Sequence, residues 1–154
     1  MNNEKINFLK YQFIPLLQQL PADAKGRWGV MNAQQMVEHF SDTLQQANGK
    51  RALPLHTPKE HLPKFRQFML NEKPFRENTK NPLMGEQAPT LKNNSMQEAI
   101  DELQEELNYF FSIFETNPNL ITLNAIFGDL DYEQNIQLLY KHAQHHLKQF
   151  GLID

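Results

Sequence analysis

At 154 residues the chain suits one domain, residues 1–154, and its 40% hydrophobic and 21% charged content is a globular mixture rather than a disordered one. A formal net charge of −3 provides no overall positive field to attract nucleic acid or anionic lipid. With no cysteine, disulfides, thiolate ligands and a cysteine nucleophile are excluded, so any bound metal falls to His, Asp or Glu.

No apolar run exceeds three residues. A signal peptide needs roughly 7–15 and a membrane span about 20. The expectation is a soluble, cytoplasmic protein. In chain order, Ile6, Leu9, Phe13, Leu16 and Leu20 mark a first helix over 3–20. Pro15 should kink or divide it, because an interior proline loses a backbone hydrogen bond.

Asn32 opens a second helix over 32–47. Its side chain can accept from a free N–H of the first turn, and Gln35 can return the contact. Met36, Phe40, Thr43, Leu44 and Ala47 form the apolar stripe, and Asn48-Gly49 ends it. Thr57 and Glu60, with Pro58 at the first helical position, mark a shorter helix to about Leu70. A Pro/Asn/Lys-rich stretch follows from Asn71 to Asn94, either a lid or a surface loop.

Ser95 and Glu98 start a long helix over 95–116, with Met96, Ile100, Leu103, Leu107, Phe111 and Phe114 at helical spacing. Asp131 and Gln134 start the last, over 131–150, and Gly151 is placed to close it in the left-handed conformation. Only Ser and Thr make the standard capping pair, so Asn32 and Asp131 are the weaker versions.

No stretch alternates as a half-buried strand does. The expected fold is all-α, a four-helix bundle, in which the long connection 49–94 is a crossover that lets the helices on either side run parallel.

Three of the six histidines lie in the last helix. With Leu139 at zero and about 100° per residue, its core residues fall between roughly 0° and 80°. On that scale His146 lies near about −20°, His142 near −60° and His145 near −120°. His142 and His146 therefore border the apolar face one turn apart, while His145 points more towards solvent. In the second helix His39 sits near about −60° from Met36, again at the edge of the buried stripe.

Neutral imidazoles are good ligands for zinc, nickel or iron(II), and three protein ligands leave a coordination position open for water or substrate. Gln35 and Asp42, one turn either side of His39, are candidate pocket or supporting residues, as is Trp28. A lone His on a helix edge is more often an ordinary boundary residue, so the trio, and not any single ring, carries the reading.

At these residues the chain resembles the DinB-like superfamily of metal-binding four-helix bundles, and within it a subgroup of largely unknown function. The resemblance covers most of the chain. It rests on Arg27-Trp28-Gly29-Val30-Met31-Asn32-Ala33-Gln34-Gln35-Met36-Val37-Glu38-His39, on Phe127-Gly128, and on Lys141-His142-Ala143-Gln144-His145-His146-Leu147-Lys148-Gln149-Phe150-Gly151. It implies an up-down-down-up bundle, one divalent ion on His39, His142 and His146, and a homodimer. It also implies metal-dependent transfer chemistry on a low-molecular-weight thiol, or hydrolysis of a small molecule. Similar proteins often carry His-Pro where this chain has Asn124-Ala125, which puts a role for that loop in the pocket in doubt.

Other residues have plainer readings. Trp28 is read as a packing anchor, with Gly29 permitting a close approach. His56 and His61 are solvated, Phe110, Phe111 and Phe114 are core, and Asp101, Glu102, Glu105 and Glu106 form a solvated helix face. No Gly-rich phosphate loop, nucleophile elbow or basic-aromatic nucleic-acid surface is present. Two non-enzymatic readings stay open: a metal-binding or stress-associated bundle in which the ion braces two helices, and an interaction module with ordinary boundary histidines.

Overall fold

The two helices that carry the histidine trio each begin at a complete capping box. In the computed structural model, which describes residues 3–79 and 81–154, Asn32 Oδ1 accepts from Gln35 N at 2.9 Å while Gln35 Oε1 accepts from Asn32 N at 2.8 Å. That exchange starts α3, Ala33–Ala47. Asp131 and Gln134 make the same pair of bonds at the head of the last helix, Tyr132–Gln149. Ser95 makes only half a box: its hydroxyl accepts from Glu98 N, but Glu98 turns its carboxylate to Asn94 N instead. The long helix that follows is Met96–Thr116.

Elsewhere local expectation and tertiary structure part. Thr57 does not cap a helix. Its hydroxyl donates to the Ile126 carbonyl at 2.7 Å, and a short 3₁₀ turn, Lys59–His61, intervenes before α4, Leu62–Leu70. The N-terminal segment is α1, Asn3–Asn7, a π-helical stretch over Phe8–Gln12, and α2, Phe13–Leu17. The division predicted for Pro15 is therefore present, but upstream of the proline. Pro15 has no N–H to give Tyr11, and the widened turn ahead of it absorbs the mismatch. In chain order Met96–Thr116 is α5 and Tyr132–Gln149 is α6.

The expectation of no strand is corrected by an antiparallel hairpin, β1 Thr122–Asn124 and β2 Gly128–Leu130. At three residues per strand it is too short to show a period. Asn124 Oδ1 accepts from both Ile126 N and Phe127 N, which folds the turn. The protein is thus mostly helical with one small sheet. No helix among the described residues is long and apolar enough to cross a membrane.

A single cluster of buried side chains draws on every long helix: Leu9, Phe13 and Leu17 from the N-terminal segment, Met36, Phe40 and Leu44 from α3, Leu103, Leu107 and Phe110 from α5, and Leu139 and Leu147 from α6. Each such side chain contributes about 1.5–3 kcal/mol on burial. Phe114 is buried and Phe111 partly so, as expected. Met69, Leu130 and Leu138 form a second, smaller cluster that seats α4 and the hairpin on α6.

Polar contacts fix the order along these helices. At its start α3 touches the segment entering α5, through Gln34 Nε2 to Asn93 O; past its end, Asn48 Nδ2 donates to Glu106 midway along α5. Arg27 N, in the segment ahead of α3, donates to Gln149 O at the end of α6, and Gln46 Oε1 near the end of α3 accepts from Ala125 N in the hairpin turn. Lys5 and Phe8 meet Gln137 and Tyr140 of α6 in ascending order. Glu106 departs from the solvated acidic face: it is buried, and accepts from Asn48 at 2.9 Å and from Lys50 at 2.6 Å. Asp101 and Glu105 are exposed and Glu102 half-buried.

Candidate metal centre

His39 comes from the middle of α3, His142 and His146 from successive turns of α6, all at the border of the buried stripe. Packing α3 on α6 brings the three rings together. His142 Nε2 lies 3.3 Å from His39 Nε2 and 2.7 Å from His146 Nε2, and one ring nitrogen from each of the three lies within 4.8 Å of the others. Nitrogens about 2.0–2.1 Å from one tetrahedral ion stand about 3.3–3.4 Å apart. The first spacing meets that value, and the second reaches it by a small ring rotation. The three imidazoles can therefore hold one metal ion.

The rings are held from behind. Phe40 stacks on His142 with centroids 4.8 Å apart and planes 20° apart. Gln149 Oε1 lies 2.7 Å from His146 Nδ1, and Gln149 Nε2 donates to the Trp28 carbonyl at 2.8 Å. His142 Nδ1 is buried and has no hydrogen-bond partner among the described residues, unlike His146 Nδ1.

Burial pushes His39 down to about 4, opposed by the negative Asp42 and assisted by His145. Burial likewise carries His142 and His146 well below the usual histidine value, and their closeness to the other imidazoles adds to the effect. All three are neutral at physiological pH, the state in which imidazole offers a lone pair to a cation. His146 is buried, whereas His39 and His142 are half-buried.

Trp28, Gln35 and Asp42 do not all serve as expected. Gln35 is taken up by its capping box and by a bond from its Nε2 to Pro89 O. Asp42 pairs with Arg51 at 3.3 Å and with Lys92, and acts on His39 only through its charge. Trp28 is half-buried and contributes its carbonyl to Gln149 and its ring to His145, 5.4 Å away. His145 is thus corrected from solvent-facing to half-buried: Trp28, Phe75 and His146 surround it. His56 and His61 are exposed, as expected, and are not part of the histidine trio.

Gln149, which helical phase alone did not single out, is the side chain that contacts the far nitrogen of His146. Its spacing, one turn after a ligand-type histidine in the last turn of the helix, was the available signal. The stretch 71–94 is pinned at both ends. Phe75 packs on Phe68 and His145, and Lys92 N and Asn93 N donate to the buried Glu38 carboxylate beside His39. A surface depression of about 720 Å³ is lined by Lys5, Glu72, Glu133 and Gln137 among others, and by none of the three histidines. Comparison with protein-family models, curated proteins and solved structures finds no match to this chain.

Proposed function

We propose that the chain is a metal-dependent enzyme of the DinB-like kind, holding one divalent ion, zinc or nickel ahead of iron, on His39, His142 and His146. The fold is read as an up-down-down-up four-helix bundle. Two sets of contacts support that reading: α3 meets α5 and the segment entering it start to start, and the segment leading into α3 reaches the end of α6 while the end of α3 reaches the hairpin turn ahead of α6. The substrate is a small molecule, a low-molecular-weight thiol foremost, and the reaction a transfer or a hydrolysis. The observation that carries the proposal is the closeness of three ring nitrogens, one from each histidine. When bound, the ion supplies a Lewis acid that makes a water or thiol more acidic. The chain's own residues fix the ligand rings, by Phe40 stacking and the Gln149 bond, and keep them unprotonated by burial.

The test is elemental analysis of the purified, untagged chain with a zinc and nickel titration. One ion per chain is expected, lost in His142→Ala. Absence of stoichiometric binding in the wild type ends the proposal. A second reading is an ion that only braces α3 against α6, the two helices whose histidines meet in the trio. It requires a fourth protein ligand, whereas the enzymatic reading requires an exchangeable one. X-ray absorption with and without added thiol separates them.

A further inference from the structure

We infer that Gln149 is the positioning residue that sets the tautomer of His146, and that the loop Gly26–Gly29 is shaped to hold Gln149 in that role. The inference rests on the metal-site reading for its consequence and on hydrogen-bond logic for its substance. The Trp28 carbonyl can only accept. The Gln149 atom 2.8 Å from it must therefore be the amide nitrogen, which turns Oε1 towards His146. Oε1 in turn can only accept, so His146 Nδ1, 2.7 Å away, must carry the hydrogen. His146 Nε2 is then left with its lone pair directed at His142 and His39. One backbone carbonyl from outside the helix thereby decides which nitrogen of His146 is free to bind a cation.

The loop is built closely around this side chain. Arg27 N donates to the Gln149 carbonyl at 2.7 Å, locking the residue's backbone as well. A β-carbon at Gly26 would stand 2.9 Å from Gln149 Cγ, and one at Gly29 2.9 Å from Gln149 Nε2. Gly29 moreover has φ +82°, which a side chain would strain. Gln149 and His146 are both buried, at 3% and 4% exposure, so water does not compete for the relay. A packing role alone would need neither the two-bond polarity nor glycines on both sides of the tryptophan.

Histidine tautomers are read by long-range ¹⁵N–¹H NMR on the full, metal-free chain at neutral pH, and affinity by zinc titration. In the wild type the expected result is a protonated Nδ1 and bare Nε2 at His146. Protonated Nε2 there overturns the inference without any variant. Gln149→Leu, which cannot accept, is expected to mix or reverse the tautomer and to weaken zinc binding 10–100-fold, the usual effect of losing such a partner. Gln149→Glu, which still accepts, is expected to keep the wild-type tautomer. An unchanged tautomer in folded Gln149→Leu, or zinc binding equal to wild type, overturns the inference while leaving the metal site standing. A wild type that binds no zinc ends the metal reading, and the NMR result still decides the role of Gln149.

Discussion

At Gly26 a β-carbon would meet the Trp28 carbonyl oxygen at 2.8 Å as well as Gln149 Cγ, whereas at Gly85 it would meet nothing within 4 Å. Gly26→Ala is therefore expected to lower stability by about 1–3 kcal/mol through overpacking. Gly85→Ala should be neutral, or stabilising by about 0.4–1 kcal/mol through a less free unfolded chain. Denaturant melts of the two variants make the comparison, and equal effects would contradict the cradle. Individual residues also show how far local signals reach. Asn32 and Asp131, nominally the weaker caps, make complete boxes, while Thr57, nominally the better one, spends its hydroxyl on the hairpin. A capping residue reveals where a helix can start, but a distant carbonyl can draw its hydroxyl hydrogen, and with it the side chain, away from the helix.

Among the elements, α3 does two jobs at adjacent positions: His39 faces the trio, and Glu38 anchors the crossover. The buried Glu38 carboxylate accepts from Lys92 N and Asn93 N, from Asn93 Nδ2 and from Gln34 Nε2. Burial raises its pKa, but these bonds outweigh burial and hold it below its ordinary value. A folded pKa below the unfolded one means stability present above about pH 4.5 and lost as pH falls through the folded value. Glu38→Ala, which strands two backbone N–H groups, should cost about 2–4 kcal/mol. It should also speed proteolysis between residues 71 and 94. Cleavage there at the wild-type rate would show that the crossover is held by something else. The crossover's length was legible from the chain, but its anchor was not, because Glu38 looks like any charged residue between Val37 and His39.

For the whole molecule, the decisive coupling is between folding, protons and metal. Burial pushes His39 down to about 4 in the folded chain against 6.5 when free, and lowers His142 and His146 well below that free value as well. Between those values the unfolded chain takes up protons that the folded one refuses. Stability is therefore fully present above about pH 6.5 and lost progressively as pH falls towards 4. The metal-free protein should lose roughly 5–10 °C in Tm between pH 7.5 and 5. His39→Gln should flatten that slope in calorimetry, and a slope unchanged in the variant would count against the buried-neutral trio. Zinc at 100 times its Kd should add about 2.7 kcal/mol at neutral pH, with the gain shrinking in acid as protons compete for the same nitrogens.

By itself the sequence determined the mostly helical class, three of the four capped helix starts and which three histidines come together. All of these follow from short-range periodicity and capping, which any neighbouring stretch of chain expresses. Only the tertiary structure decided what surrounds those histidines. The polarity of the Trp28–Gln149–His146 relay, the burial of Glu106, the enclosure of His145 and the hairpin over Thr57 all depend on which backbone carbonyl or ring arrives from far along the chain. A hydrogen bond between residues more than a hundred positions apart leaves no period in the sequence, because its geometry exists only once the helices have packed.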